Sequence, residues 1–372
     1  MKQIRPMDAV VALYSDSEHE LSEAIIASLS RAIFGGEQFK PAGPAQIAIS
    51  RVSHRLLKWT THCRKAKGEN YEGGAYDNPI LKRSGHPYAR ALLDSSCREA
   101  ESLVEGGDPM NGPYMMIPPE ILKAGTTWDR LFLNSVQGRD VQLRFIWETQ
   151  ATYDAVKSRL KNEGGVVRLK AIAAGTGLSM IVAYDRLIRD GYDPARIIVR
   201  ITDREKSNID KTNRILAKLS STRERHSDAK FEGGISAGIE DIFEEESEGA
   251  PLLGAQYDVI TAVGILEYLQ GFTCGTTERR LKLEQPVEAA TAQILVARLA
   301  GMTTDSAALI VNTFRPHSST RILELFGRRF DYRHRENLSA LLASANFGTP
   351  RLVGSGNIYD VEVYEKRASS PG

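Results

Sequence analysis

The chain has 372 residues, 42% of them hydrophobic, and its 48 basic and 47 acidic residues leave a formal net charge of +1. One hydrophobic core seldom organises so many residues, which predicts two domains or one large domain with a subdomain. The near-neutral net charge does not indicate that the chain as a whole binds nucleic acid or an anionic membrane. The cysteines are three and widely spaced, which argues against a disulfide framework or a cysteine-rich zinc site: Cys63, Cys97 and Cys274.

The beginning of the chain and its hydropathy bear on its location. The stretch MKQIRPMDAVVALYSDSEHE lacks an apolar core long enough for a signal peptide, and no run of about 18 apolar residues occurs in the sequence. Together with the cysteine usage, these features predict a cytoplasmic protein without a membrane partner.

The first third, residues 1–135, is predicted to be a mainly helical domain. Ser17 and Glu20 have the spacing of a capping box, and the apolar residues that follow at helical spacing end at Gly35. Residues 67–119 are rich in Gly, Pro and Asn, which predicts loops around short helices. Between them, a second amphipathic helix is predicted from four apolar residues on one face, with basic residues off it: Ile49, Val52, Leu56 and Trp59.

From residue 136 onward, helices and strands alternate. This alternation predicts an α/β fold over residues 136–368 with a doubly wound, mostly parallel sheet, closed by an antiparallel hairpin. Residues 369–372 are predicted to be a disordered tail. The predicted strands are VVRLKAIAA, ARIIVRITD, AKFEGGIS, YDVITAV and SAALIVNTF, and the hairpin joins PRLVGSG to IYDVEVYEK.

A glycine-containing turn follows the first strand of this domain. The segment Ala173-Ala174-Gly175-Thr176-Gly177 ends an apolar strand and opens a helix. Small residues at such a turn let backbone amides and the helix N-terminus approach a carboxylate, phosphate or ribose closely. The alternative is a tight strand-to-helix turn that binds nothing.

Asp203 ends the next strand, in IIVRITDRE. In nucleotide-binding α/β folds, a carboxylate here accepts hydrogen bonds from ribose hydroxyls, because the end of the second strand lies beside the cleft at the topological switch point. The alternative is that Asp203 caps the helix that starts nearby.

In the third segment, YDVITAVGILEYL over residues 257–269, a buried strand runs through a small-residue turn into a new apolar helix. The order of glycine turn, strand-end Asp203 and this segment resembles class I S-adenosylmethionine-dependent methyltransferases, over roughly residues 140–366, and the last segment looks like their fourth motif. The resemblance implies a Rossmann-like, seven-stranded sheet, S-adenosyl-L-methionine as the cofactor, and methyl transfer as the activity.

The resemblance also implies which residues meet the cofactor. Ala171 departs from the family, because it stands where the first motif usually has an acidic residue. In the family, that acidic residue would contact the methionine amino group of the cofactor. Ala173 departs by replacing a glycine, and Gly238 stands at the usual aspartate position of the third motif. The implied cofactor-binding residues are Ala173, Gly175, Thr176, Gly177, Asp203, Arg204, Val263 and Gly264, with Glu240 or Asp241 near the adenine.

A nicotinamide-binding Rossmann domain is the nearest competing interpretation. It requires the pattern G-x-G-x-x-G, whereas Met180 stands at the third glycine position of this chain. The terminal strand pair also points away from it.

Candidates for the acceptor side follow the fourth and fifth strands, at the carboxyl ends where ligands lie in such sheets. His317 is a candidate base and Arg315 a candidate partner for an acidic substrate group; a loop histidine and, for Glu267, a surface glutamate are the alternatives. The histidines form no pair that would invite a metal, so no metal is expected. The acceptor-side candidates are Glu267, Tyr268, Asn312, Arg315 and His317, with Tyr332 and His334 as weaker ones.

These observations predict a methyltransferase that acts on an oxygen or nitrogen nucleophile of a small molecule by in-line displacement, without a nucleic-acid partner. Two alternatives are transfer of another alkyl group from the same cofactor and non-catalytic cofactor binding. Residues 1–135 are expected to form a wall or lid of the acceptor pocket. The alternative is a helical dimerisation arm, and with it a homodimer.

Overall fold

A seven-stranded sheet organises the computed structural model of the chain, which describes residues 26–27, 29–31, 33–35, 40–65, 133–162, 164–226, 234–242, 256–268, 289–325 and 330–368. The strands are β1 (Val167–Ala171), β2 (Ile197–Asp203), β3 (Ile235–Ile239), β4 (Tyr257–Ala262), β5 (Thr303–Phe314), β6 (Arg351–Ser355) and β7 (Tyr359–Glu365). Their spatial order is β3-β2-β1-β4-β5-β7-β6. Strands β1 to β5 run parallel, and β7 is antiparallel to β5 and β6. The predicted mostly parallel sheet with a terminal antiparallel hairpin is confirmed.

Helices cover both faces of this sheet. They are α1 (Pro44–Lys65), α2 (Val136–Asn162), α3 (Leu178–Arg189), α4 (Lys206–His226), α5 (Ala289–Gly301), α6 (Ser318–Leu325) and α7 (Arg335–Ala343), with short 3-10 helices at Pro194–Arg196 and Leu266–Tyr268. Leu169 and Val259 pack with residues of α2 and α3 on one face, whereas Ile260 and Leu309 pack with α5 and α7 on the other. Burial on both faces explains the apolar pair Val259 and Ile260 in β4 and the apolar run 307–311 in β5.

Strand β3 spans Ile235–Ile239, and Ile235 and Ala237 pair with Val199 and Ile201 of β2. Residues 229–233 of the predicted AKFEGGIS lie outside the described residues. One detail differs from the sequence-based prediction: no helix was predicted directly after β5, but α6 starts two residues beyond Pro316.

Helix α1 is amphipathic as predicted, but its buried face is a different one. Ser50, Ser53 and Leu57 are buried, and the Ser50 hydroxyl lies 2.8 Å from the hydroxyl of Ser318 at the start of α6. The predicted apolar face is instead 48% to 67% exposed. The small polar face therefore makes the contact with α6. The predicted capping box at residues 17–20, the loops over 67–119 and the tail over 369–372 lie outside the described residues.

Helix α2 is joined to the sheet at its first turn. Asp140 is fully buried and accepts hydrogen bonds from the backbone N–H of Ile358 and, at 3.3 Å, from the side chain of Asn357. Burial raises the pKa of Asp140, and these hydrogen bonds oppose the rise. The contact anchors α2 on the turn between β6 and β7. In the part of the chain that the structure describes, no helix has an apolar stretch long enough to cross a bilayer.

Candidate functional site

The predicted glycine loop lies between β1 and α3. Ala173, Gly175 and Gly177 have φ angles of +50°, +57° and +59°. Glycine adopts this left-handed region freely, whereas other residues lose about 1–2 kcal/mol there. The surrounding fold must therefore hold Ala173 in place. The loop turns the backbone sharply at the carboxyl end of β1, where ligands bind in sheets of this kind.

Asp203, which ends β2, contacts this loop directly. Its Oδ2 accepts the backbone N–H of Gly175 at 2.8 Å, and its Oδ1 accepts the backbone N–H of Glu205 at 2.8 Å and the side-chain amide of Asn208 at 3.0 Å. Burial raises the pKa of Asp203, and these hydrogen bonds oppose the rise. A carboxylate offers about four acceptor positions. Among the described residues, Gly175 is the one donor to Oδ2, which leaves an acceptor position on that oxygen for a ligand hydroxyl.

Removing this carboxylate should weaken cofactor binding. We expect Asp203→Ala to lower the affinity for S-adenosylmethionine by about 1–3 kcal/mol, the scale of hydrogen bonds to a charged group, without unfolding the chain. Asn208→Ala serves as a control, because it removes a contact to Oδ1 and leaves the bond to Gly175. Calorimetry on both variants measures the effect. Unchanged affinity together with a lower melting temperature would show that Asp203 only supports the turn.

The candidates from the third motif follow β3. The backbone N–H of Glu240 donates to the carbonyl of Asp203 at 3.0 Å, and its carboxylate pairs with Lys170 Nζ at 2.6 Å. This ion pair turns Glu240 toward β1, and Asp241 follows it. Gly238 lies within β3, where the guanidinium of Arg200 occupies the place of a side chain. An aspartate at this position would therefore require the Arg200 guanidinium to move.

Two further candidates for binding the cofactor are Arg204, after β2, and Thr176, in the glycine loop. Arg204 is exposed, with its Nε 3.8 Å from the Glu205 carboxylate. Thr176 is buried, and its carbonyl accepts the hydroxyl of Thr212 at 3.0 Å. The second contact ties the glycine loop to α4.

The turn after β4 is fixed from two sides. Val263 and Gly264 follow the strand, and Gly264 has a φ of +85°. The backbone N–H of Gly264 donates to Asn312 Oδ1 at 2.7 Å, and a Cβ on Gly264 would lie 3.2 Å from Nη1 of Arg144, a residue of α2. Asn312 is buried, so its side chain holds this turn.

Glu267 lies beneath the same turn and is fully buried. Its Oε1 accepts from Arg144 Nη1 at 2.8 Å, and its Oε2 accepts from Asn312 Nδ2 at 3.2 Å. The surface position considered for this residue is therefore wrong. Tyr268 ends the 3-10 helix, and its side chain lies outside the described part of the chain.

Arg315 and His317 follow β5. The guanidinium of Arg315 donates to the carbonyl of Gly356 and lies 3.1 Å from the Asp360 carboxylate, so it binds the terminal hairpin. The Nδ1 of His317 accepts the backbone N–H of Ser319 at 3.2 Å. The neutral ring therefore carries its proton on Nε2.

The remaining observations on the acceptor side concern the pKa of His317 and the surroundings of the weaker candidates, Tyr332 and His334. Burial, and then the nearby guanidinium groups of Arg51 and Arg315, lower the pKa of His317. Tyr332 stacks on the Phe314 ring with centroids 5.2 Å apart, and His334 is exposed. Within the described ranges, no three His, Cys, Asp or Glu side chains are grouped as a metal site would need.

Helix α2 contributes two charged residues that the motifs did not identify, Arg144 and Glu148. Glu148 Oε1 accepts the hydroxyl of Ser179, in the first turn of α3, at 2.9 Å. Burial raises the pKa of Glu148 to about 7, with Ser179 and Arg144 acting against the rise. The one available signal was their spacing of four residues, which places both on one face of the helix before β1.

No protein-family model matches this chain, and no curated protein matches it significantly. Among solved structures, a possible exported protein from Bordetella parapertussis aligns with a TM-score of 0.53 at 13% identity, over 95% of this chain and 99% of its own. The citrinin polyketide synthase CMeT domain aligns with a TM-score of 0.44 at 12% identity, over 99% and 91%. Magnesium protoporphyrin IX methyltransferase from Synechocystis PCC 6803 aligns with a TM-score of 0.36 at 14% identity, over 61% and 87%. The first similarity supports a shared fold alone, and the other two are too weak to add to it.

The fold assignment therefore depends on the strand order and the loop contacts of this chain. Five parallel strands lead to an antiparallel β7 between β5 and β6, and the glycine loop after β1 is bonded to the carboxylate that ends β2. The sequence resemblance implied the seven-stranded sheet with its antiparallel end; the bond between the glycine loop and Asp203 is an observation of the structure. The chain has the fold of the class I S-adenosylmethionine-dependent methyltransferases.

Proposed function

We propose that this chain is a methyltransferase that moves the methyl group of S-adenosyl-L-methionine to an oxygen or nitrogen atom of a small molecule. The hydrogen bond between Gly175 N–H and Asp203 Oδ2 carries the proposal, because it joins the glycine loop to the strand-end carboxylate at the carboxyl edge of the sheet. A nucleoside ligand needs both, the loop for close backbone approach and the carboxylate for ribose hydroxyls. Glu240 or Asp241 would then border the adenine, and Val263 and Gly264 the rest of the cofactor.

The acceptor would lie beyond the carboxyl ends of β4 and β5. In-line displacement from a sulfonium depends mainly on alignment of the nucleophile with the methyl group. Glu267 and Arg315 already hold the turn after β4 and the hairpin, which favours supporting roles for both. His317 presents Nε2–H and stays neutral near pH 7 because its pKa is lowered. We assign it the role of orienting the acceptor, since action as a base at Nδ1 would require loss of the bond to Ser319.

The near-neutral charge of the chain favours a small acceptor over nucleic acid. Incubation with methyl-labelled S-adenosylmethionine and fractionated cell extract tests the proposal. We expect S-adenosylhomocysteine and a labelled product in the metabolite fraction. Methylthioadenosine would indicate transfer of a different alkyl group, tight binding without turnover a binding protein, and absence of cofactor binding would refute the proposal.

The N-terminal third is proposed to form one wall of the acceptor pocket. Helix α1 packs on α6 through Ser50 and Ser318, and Arg51 is close enough to His317 to lower its pKa. The side chain of Asn357, in the hairpin turn, donates to the carbonyl of Ala42 at 3.4 Å. These contacts place α1 beside the end of β5, where an open site would otherwise admit water.

Deleting this wall should separate binding from turnover. We expect residues 136–372 alone to bind S-adenosylhomocysteine but to lose acceptor methylation, because the wall that excludes water is missing. The full chain with Ile49→Ser, a change on the exposed face of α1, should keep both properties. Calorimetry and product assays on the two proteins measure the difference. Full activity of a truncated monomer would contradict the assignment.

A further inference from the structure

Four carboxylates described above border the glycine loop and the turn after β4. Asp203 accepts three N–H groups, Glu240 pairs with Lys170, and Glu267 pairs with Arg144 and Asn312. Glu148 differs from these three. Among the described residues, its hydrogen-bond partner is one neutral hydroxyl, Ser179 Oγ at 2.9 Å.

Among the described residues, the cation whose charge acts on Glu148 is Arg144, and it already has a carboxylate partner. Arg144 lies one helical turn earlier on α2, and its guanidinium pairs with Glu267 at 2.8 Å. Glu148 is half-buried. Loss of solvent around a carboxylate without a bonded cation is unfavourable, which agrees with a pKa for Glu148 of about 7. Within the described ranges, no cation is therefore hydrogen-bonded to the Glu148 carboxylate.

Glu148 also lies in the right place for a ligand in the cleft. Ser179 is the second residue of α3, directly after the glycine loop, whereas Arg144 reaches Gly264 in the turn after β4. Residues four apart on a helix share one face and are separated by about 6 Å along its axis. This face of α2 thus spans the distance from the loop to the turn.

We propose that Glu148 binds the ammonium group of the amino-acid portion of S-adenosylmethionine. The inference rests on the proposed function, since it assumes that this cofactor occupies the cleft. The ammonium group would supply a bonded cation, and the Ser179 hydroxyl would orient the carboxylate. Strand β1 offers no acidic group for this purpose, because it ends in Ala171.

The test compares two nucleosides that differ in this group. S-adenosylhomocysteine carries the amino acid, whereas methylthioadenosine lacks it and keeps the ribose and adenine. We expect Glu148→Gln to weaken S-adenosylhomocysteine about 10- to 100-fold, the scale of one charge-assisted hydrogen bond, and to change methylthioadenosine less than about twofold. Isothermal titration calorimetry on the full chain measures both constants.

Two further variants sharpen the comparison. Asp154→Asn removes an exposed charge from the same helix and should leave both affinities unchanged. Glu148→Asp keeps the charge on a shorter side chain and should weaken S-adenosylhomocysteine by an intermediate factor. It also serves if Glu148→Gln fails to fold, which a melting curve would reveal.

The outcomes are distinct. A loss confined to S-adenosylhomocysteine supports the assignment. Unchanged affinities, or equal losses for both nucleosides, overturn it while the proposed function stands. If the unmodified chain binds neither nucleoside, the proposed function fails and this assignment fails with it.

Discussion

Replacing Gly177 with valine is expected to destabilise the fold strongly, whereas the same change at Gly175 should leave the chain folded and abolish binding of S-adenosylmethionine. A Cβ at Gly177 would lie 2.6 Å from Cγ2 of Ile201, a fully buried residue of β2. A Cβ at Gly175 meets no atom within 4 Å and projects into open space. Bulk at Gly177 therefore disturbs the core, and bulk at Gly175 fills volume that a ligand would need.

The expected losses in unfolding free energy differ between Gly177→Val and Gly175→Val. A positive φ costs about 1–2 kcal/mol for any residue with a Cβ, and this term applies at both positions. Overpacking of a core adds about 1–3 kcal/mol, and this term applies at Gly177 alone. We expect a loss of about 2–5 kcal/mol for Gly177→Val and of about 1–2 kcal/mol for Gly175→Val.

Denaturant unfolding and calorimetry measure stability and binding in parallel. Ala173→Gly is the matched control, since it relieves a positive φ in the same loop and should bind the cofactor normally. Normal binding by Gly175→Val would place the cleft elsewhere. A Gly177→Val variant that unfolds like the original chain would refute the packing against Ile201.

Much of the sheet could be predicted because its signals are local. Strands such as β2 and β4 are apolar runs between turn residues, and the hairpin of β6 and β7 has a glycine-containing turn. Helix α6 was missed because a segment with one proline and two serines before its apolar residues is typical of a loop. The same residues also suit a helix N-terminus.

In the candidate site, too, the residues with local sequence signals were predicted and the contacts between distant residues were not. The glycine loop and Asp203 follow strands directly, so sequence order alone located them. The partners of Glu267 are not local: Arg144 is 123 residues away along the chain. No periodicity in α2 indicates which residue on another element a given side chain will meet. The exposure of the apolar face of α1 could not be predicted for the same reason. The polar face of α1 packs on α6, and the sequence of α1 alone does not indicate that contact.

The pairing of Arg144 with Glu267 should dominate the stability of the turn after β4. Glu267 is fully buried, whereas the side chain of Arg144 is 21% exposed. Removing one partner of a buried ion pair costs about 3–5 kcal/mol, because the other charge is left uncompensated. We expect about 2–4 kcal/mol here for Glu267→Leu, since solvent reaches part of the guanidinium.

A double-mutant cycle should then reveal what Glu267 does. We expect Arg144→Met with Glu267→Leu to be more stable than Glu267→Leu alone, since replacing both members of a buried pair by apolar residues is often neutral. Denaturant unfolding of the two single variants and the double variant gives the coupling energy. Additive losses would show that the two residues do not stabilise each other.

Activity of the same variants decides whether Glu267 touches the substrate. Both of its carboxylate oxygens are bonded to protein groups, which favours a positioning role through the turn that carries Gly264. If so, cofactor affinity and methyl transfer should recover with stability in the double variant, and its loss in kcat/KM should be smaller than that of Glu267→Leu. A double variant that is stable and binds the cofactor normally, yet transfers no methyl group, would show that one of the two residues acts on the acceptor, and normal transfer by Arg144→Met alone would assign that action to Glu267. The positioning role predicts the opposite because, without Arg144, no guanidinium that has lost its carboxylate partner remains beside Gly264 to displace the turn.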